Sequence, residues 1–406
     1  MLDDTLTLIL AGGVGARLAP LTNERAKPAV PFGGKYRIID FTLANCLHSG
    51  LRRLLVLTQY KSHSLQKHLR DGWSVFNPEL GEYITPVPPQ MRTGDNWYTG
   101  TADAIHQNLY LLERSGAKYV VILSGDHIYR MDYASMIKQH ITTGAELTVG
   151  CMEVDSSETK SFGVIEMDEN NKISYFIEKP ENYTSPEATP DKAMVSMGIY
   201  VFSMDLLLEV LRNDYKDKTS SHDFGHDIIP NLIAKHDVYG HQFGSNEGRV
   251  SQDCYWRDVG TIDAFYEANM DLLNPIPPID LYQEDWSIRT HQKQLPPART
   301  VPGLSGNEGI FINSIVAGGS IIAGGSVQES ILFPRVYIGD ETFVERSLIF
   351  EGVKVGDGAQ LRQCIIDKNV EIPPGTKIGI DREEDEERFT VSDNGIVVVP
   401  KGYNFN

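Results

Sequence analysis

The chain has 406 residues, 41% of them hydrophobic and 23% charged, the balance of a folded protein that can bury a sizeable core. Its formal net charge of −18 argues against a nucleic-acid or membrane-surface partner, but not against a nucleotide site, where local Arg and Lys decide. No apolar run approaches the roughly 18 residues of a membrane span, and no signal peptide is visible. Cys46, Cys151, Cys254 and Cys364 are far apart and form no C-x-x-C pair, so they read as reduced thiols of a cytoplasmic protein.

The first element is a short apolar run, Leu6 to Leu10, that reads as a buried strand. It runs into Ala11-Gly12-Gly13-Val14-Gly15-Ala16-Arg17. Such a loop can lay backbone N–H groups against phosphates, and a following helix N-terminus adds partial positive charge. A plain strand-to-helix turn stays open as the alternative. The Walker pattern fails because no Gly-Lys-Ser/Thr follows, and the dinucleotide fingerprint fails because Leu18 stands at the third glycine position. Lys27 follows in Arg25-Ala26-Lys27-Pro28, and with Arg17 supplies full positive charge.

A helix begins near Asp40, a strand covers Leu54–Thr58, and Gln66–Leu69 falls in a helix. The stretch from Trp73 to Gly100 holds Pro78, Pro86, Pro88 and Pro89 and reads as a long irregular loop. It leads to Trp97-Tyr98-Thr99-Gly100-Thr101-Ala102, where the two aromatics are either packing or a platform beside a base. A helix over Ala102–Arg114 precedes the strand Tyr119–Leu123. Asp126 in Gly125-Asp126-His127 then sits at the strand's carboxyl end. It suits either a helix cap or a hard cation such as Mg²⁺. His127 reads as packing or as support beside Asp126. A helix over Tyr133–His140 leads to a strand over Leu147–Met152. The alternation predicts an α/β fold with a Rossmann-like, doubly wound, mostly parallel sheet, whose ligands bind at strand carboxyl ends.

Further on, Phe162-Gly163-Val164 precedes a strand, and Glu178-Lys179-Pro180 closes the strand Ile173–Ile177. Glu178 can accept hydrogen bonds from sugar hydroxyls and Lys179 can hold a phosphate, although exposed Glu-Lys pairs are ordinary. Ser196-Met197-Gly198 follows. Ser220, Ser221, His222 and Asp223 are too close in sequence to converge as a nucleophilic triad, so Asp223 reads as a helix cap. Asp258, in Trp256-Arg257-Asp258-Val259-Gly260, is a second carboxylate able to share a cation with Asp126, and a helix covers about Ile262–Leu273.

After Pro275, Pro277 and Pro278 the composition changes. Val336, Val353 and Val370 recur at a spacing of 17, as do Ile321, Ile338, Val355 and Ile372. Val327, Val344, Leu361 and Ile378 share that period, as do Ile331, Leu348 and Ile365. One period in four registers predicts a β-solenoid with stacked aliphatic ladders. Asp381–Glu387 reads as a solvated acidic run.

The motifs Leu10-Ala11-Gly12-Gly13-Val14-Gly15-Ala16-Arg17-Leu18, Arg25-Ala26-Lys27-Pro28, Gly125-Asp126-His127, Glu178-Lys179-Pro180 and Trp256-Arg257-Asp258 resemble, in order and over nearly the whole chain, the sugar-nucleotide pyrophosphorylase family. The Trp97-Tyr98 pair is similar to its bacterial adenylyl-transferring branch. The resemblance implies a nucleotidyltransferase domain over 1–274, a linker over 275–308 and a C-terminal left-handed parallel β-helix over 309–406. It implies ATP and α-D-glucose 1-phosphate as substrates, Mg²⁺ on Asp126 and Asp258, and catalytic charge from Arg17 and Lys27. Gly12, Gly13, Gly15, Tyr98, Gly100 and Thr101 would then contact the nucleotide. Gly163, Glu178, Lys179 and Ser196 would hold the sugar phosphate, and Gln59 and Trp97 would link a regulatory site to them. An anionic allosteric effector is expected, with Arg25, Arg37, Arg52 and Arg53 as possible phosphate contacts; acidic Glu24, Glu386 and Glu387 predict weak or altered activation. A homotetramer or a mixed tetramer with a paralogous subunit is expected. The alternatives are a non-catalytic regulatory subunit and a pyrophosphorylase for another nucleotide sugar.

Overall fold

The computed structural model describes residues 1–90, 97–183, 191–244, 250 and 254–405. Among the described residues nine strands make the first sheet. In chain order they are β1 (Thr5–Ala11), β2 (Arg53–Thr58), β3 (Tyr83–Val87), β4 (Tyr119–Ser124), β5 (Leu147–Asp155), β6 (Gly163–Met167), β7 (Ile173–Glu178), β8 (Lys192–Ser203) and β9 (Val238–Gln242). Strand β1 lies between β2 and β4, parallel to both, and β3 extends the parallel half to one edge. On the other side β8 runs antiparallel to β4, β5 and β6, and β7 pairs antiparallel with β6. The sheet is therefore mixed, with its parallel half around β1.

Period-2 alternation sends successive side chains to opposite faces. Leu6 and Leu8 join one buried cluster, with Leu112 and Leu207, while Ile9 joins another, with Phe41 and Phe265. Helices thus cover both faces, and the carboxyl ends of β1 and β4 are left for the site.

Strand β3 falls inside the stretch expected to be irregular. Its Pro86 pairs opposite Val56 at the sheet edge, where a missing N–H costs no internal ladder bond. The helix expected over 102–114 is two, Thr101–His106 and Leu109–Ser115. The break falls at Asn108, whose side-chain amide donates to the Ala104 carbonyl and to the Tyr98 hydroxyl.

The C-terminal part is a parallel β-solenoid of three strand ladders, and its first rung, Arg299–Val301, pairs with Ile321–Ala323. Val327, Val344, Leu361 and Ile378 stack in register. One rung holds sixteen residues, so Ile322, not Ile321, is the partner of Ile338. Leu332, Ile349, Ile366 and Val399 fill the solenoid interior, whereas Ile331, Leu348, Ile365 and Val398 face outward into the core of the first domain. That register is an interdomain seam. Tyr266 crosses it, its hydroxyl donating to the Arg346 carbonyl at 2.6 Å. The acidic run 381–387 is not wholly solvated. It forms a helix, Arg382–Arg388, capped by Asp381, and Asp385 is buried, accepting from the Gly379 N–H at 2.8 Å. Among the described residues no helix is long and apolar enough to cross a membrane.

Candidate active site

The glycine loop leaves the end of β1. Gly15 adopts φ +65°, a left-handed conformation open to glycine, and a Cβ there would press on Lys27 and Thr22. The Thr22 hydroxyl donates to the Gly15 carbonyl at 2.9 Å and pins the turn. The expected helix is only the single 3₁₀ turn Ala16–Leu18. Three residues carry no appreciable macrodipole, so anion charge here must be met by side chains and loop N–H groups.

Those side chains converge from three distant segments. The Lys27 ammonium lies 3.0 Å from Asp126 Oδ2 and 2.9 Å from Asp258 Oδ1, and donates to the Asp258 backbone carbonyl at 2.7 Å. Burial alone would lower Lys27, but the two carboxylates outweigh it and raise its pKa. Burial likewise opposes ionisation of Asp126, yet Lys27, His127 and the Ser124 hydroxyl hold its carboxyl at about 2. One ammonium thus lies between the two acids.

A two-residue ribbon fixes this pairing: Ile128–Tyr129 lies antiparallel to Trp256–Arg257, which brings the chain just after Asp126 against the chain just before Asp258. Val259, buried and β-branched, takes φ +44°, a conformation that costs about 1–3 kcal/mol and marks a backbone held by its surroundings.

Of the two readings of His127, packing or support beside Asp126, its position favours the second. Its Nε2 lies 3.5 Å from Asp126 and 3.7 Å from Asp258. Burial lowers its pKa, so it is neutral near pH 7. One ligand atom each from Asp126, His127 and Asp258 lie within 4.8 Å of one another. Two carboxylates and an imidazole are a donor set that fits a divalent cation. Trp256 packs edge-on against the His127 ring at 4.9 Å. Ser124, which donates to Asp126, had no sequence signal except its place at a strand end.

Arg17 touches this cluster loosely, 3.7 Å from Asp258 with its side chain 71% exposed. Gln59 bridges the glycine loop and the aromatic segment: it accepts from the Tyr98 N–H at 2.8 Å, and Gly12 lies against its Cβ. Trp97 stacks on Tyr60 with centroids 5.0 Å apart and is half exposed. Gly100 packs so tightly on the carbonyls of Ser221 and His222 that no Cβ fits. The Thr101 hydroxyl donates to Asp223 at 3.0 Å, so its hydrogen is committed to that loop. Asp223 caps the next turn through Gly225 and His226. The Ser220 hydroxyl and the His222 ring both bind Asp214, and the His222 backbone N–H donates to the Ser220 hydroxyl oxygen at 2.9 Å.

Glu178 and Lys179 form an ion pair of 2.7 Å at the end of β7, and Lys179 takes φ +43°. Gly163 lies against the Glu178 carboxylate, and so does Gly225, which the sequence did not single out; a Cβ on either would clash with it. Ser196 is buried at a bulge in β8, its hydroxyl oxygen accepting from Gly198 N–H at 3.2 Å.

The four arginines expected to bind an effector do not form one cluster. Arg25 is buried, its Nη2 donating to both carboxylate oxygens of Asp367 in the solenoid, at 2.9 and 3.0 Å. Arg37 donates to the Ser64 carbonyl. Arg52 donates to the carbonyls of Leu47 and Leu51, and Arg53 to those of Asp3 and Ser115.

Comparison with known proteins follows this division of the chain. Residues 6–275 match the nucleotidyl transferase family model, and residues 296–399 match the model described as GlmU-like, C-terminal hexapeptide. A relative in Vibrio vulnificus (strain CMCP6), named glucose-1-phosphate adenylyltransferase 2, is 64% identical over the whole of both chains. One of the same name in Vibrio cholerae is 60% identical, again over the whole of both. The glucose-1-phosphate adenylyltransferase of Enterobacter sp. (strain 638) is 48% identical over 98% of this chain and 93% of its own.

Proposed function

This chain belongs to the glucose-1-phosphate adenylyltransferase family, and on that premise we propose that Asp126, Asp258, Lys27 and Arg17 form its catalytic centre. The enzyme is a nucleotidyltransferase. It joins the adenylyl group of ATP to α-D-glucose 1-phosphate, giving ADP-glucose and pyrophosphate, a step of glycogen metabolism. The observation that carries the site assignment is the convergence of Lys27 on Asp126 and Asp258 at the strand ends.

The chemistry asks little of acid–base catalysis. An ionised oxygen of glucose 1-phosphate attacks the α-phosphorus of ATP. The bond from that phosphorus to the α,β-bridging oxygen breaks, and pyrophosphate leaves with the electron pair. Positioning and charge neutralisation supply the rate. Asp126 and Asp258 would hold Mg²⁺, which when bound neutralises phosphate charge; His127 lies close enough to join or brace them. Arg17, exposed and only loosely held, reaches the triphosphate. Lys27 meets the departing pyrophosphate charge.

The backbone of Gly12, Gly13 and Gly15 lies along the phosphates. Tyr98, braced by Gln59 and Asn108, and Gly100 border the nucleotide. Lys179 holds the sugar phosphate, with Glu178, Gly163 and Ser196 around the sugar. Gln59 and Trp97 link this end of the site to an anionic effector. The assembly is a homotetramer or a mixed tetramer.

The test is pyrophosphate release by the purified chain with Mg²⁺, glucose 1-phosphate and each NTP in turn. Release with ATP alone supports the reading. No release with any NTP would assign the chain to a regulatory partner role, and adding a paralogous subunit would then be the next step.

A further inference from the structure

A cavity of about 340 Å³ lies between the two domains. Lys35 and Arg37 line it from the first domain, Lys293 from the connecting segment and Lys368 from the solenoid. One carboxylate reaches the same cavity, that of Glu351, just after the solenoid strand Leu348–Ile349. Its side chain is 15% exposed. Oε1 lies 2.6 Å from Lys293 Nζ and 2.9 Å from the Arg335 guanidinium, and Oε2 lies 3.5 Å from Lys368 Nζ.

Burial opposes ionisation of Glu351, but these cations outweigh it and hold its pKa below the usual range. Positive charge remains crowded even so. Burial, with Arg37 and Arg25 nearby, lowers Lys368 to about 8 despite Glu351 and Asp367. Asp367 does not relieve the cavity, since both its oxygens accept from Arg25 Nη2. Several cations therefore converge on a space the size of a small phosphorylated molecule, and one carboxylate of the chain itself stands among them.

We propose that Glu351 is a built-in anion, occupying the interdomain cation cavity and closing it to phosphate-type ligands. The carboxylate ties the connecting segment to two turns of the solenoid, as a bound phosphate would. The chain thus holds internally a contact that an anionic effector would otherwise supply. This deepens the effector reading of the preceding section, but it concerns binding and stands apart from adenylyl transfer.

The experiment is calorimetric titration of the full-length protein with inorganic phosphate at low ionic strength, without substrates. Glu351→Gln keeps the shape and removes the charge, and it is expected to bind phosphate at least about tenfold more tightly than the wild type. Adding Lys368→Gln to that variant should return the affinity to the wild-type value, which separates this cavity from phosphate binding at the catalytic centre. Lys368→Gln alone should change nothing. If Glu351→Gln does not fold by circular dichroism, Glu351→Ser carries the same comparison. Equal phosphate affinity in wild type and the charge-removed variant overturns the proposal, as does tight binding that survives the added Lys368→Gln. Adenylyl transfer, assayed separately, can fail or succeed without altering either outcome.

Discussion

Lys27 and Asp258 are joined twice, through the carboxylate at 2.9 Å and through the backbone carbonyl at 2.7 Å. The ammonium also reaches Asp126, so one buried cation stands between the two acids. Without a counter-charge two carboxylates this close repel, and one would take up a proton. Lys27 offsets that repulsion while competing with any divalent cation for the same oxygens. Lys27→Met is expected to tighten Mn²⁺ binding to the nucleotide-free protein by about tenfold, measured by electron paramagnetic resonance, while lowering kcat at least about a hundredfold. Unchanged or weaker Mn²⁺ binding would show that Lys27 does not compete for the site.

Asp126→Asn keeps the shape and hydrogen-bonding reach of the side chain but removes the charge. It should cut kcat by at least about a hundredfold with the circular dichroism spectrum intact. Turnover within a few-fold of wild type would sink the metal-ligand assignment.

Lys179 is exposed, and its ammonium pairs with Glu178 at 2.7 Å. In the role proposed for it, its replacement by Ala removes a charge that would meet the sugar phosphate in ground and transition states alike. The expected result is a KM for glucose 1-phosphate raised about tenfold or more, with a smaller change in kcat and in the KM for ATP. Equal effects on both KM values would argue that the residue acts on the fold of the loop.

His140 is fully buried, between the hydroxyls of Thr148 and Ser203, and burial lowers its pKa to about 4. The unfolded chain takes up this proton near pH 6.5, the folded one only near 4. The unfolded state therefore binds more protons across that window, and stability falls as pH drops from 6.5 to 4. The loss is on the order of 3 kcal/mol for this group. Urea unfolding of wild type and His140→Gln at pH 7 and pH 4.5 checks it: the variant should show the shallower pH dependence.

Leu361 is buried in the solenoid, stacked between Val344 and Ile378. Leu361→Ala should cost about 2–5 kcal/mol, because rungs on both sides limit collapse of the cavity. The same change at Ile321, which is off the buried ladder, should cost less. A solenoid that tolerates both equally would contradict the stacking register.

Much of this was legible in one dimension. The 17-residue period predicted the solenoid because each rung repeats the same inward positions. The apolar runs of β1, β2 and β4 predicted a buried sheet because both faces are covered. Strand β3 was not legible, since its prolines read as breakers and only its place at the edge makes Pro86 tolerable. Equally hidden was the outward register of Ile331, Leu348 and Ile365: aliphatics at that period look alike whether they fill a solenoid or face a second domain. The four candidate effector arginines could be picked by charge alone, but not sorted by where their guanidinium groups point.

What the sequence by itself determined were properties set by neighbours along the chain: strand patterning, the glycine-rich turn, the repeat length and the carboxylates at strand ends. What only the tertiary structure decided was convergence. Lys27, Asp126 and Asp258 lie far apart in sequence and meet because an antiparallel ribbon and a central strand close those loops on one another. Glu351 reads as one more surface acid until the domains pack and surround it with cations. The reason is physical: charges act through space at a few ångströms, and folding alone sets which of them come that close.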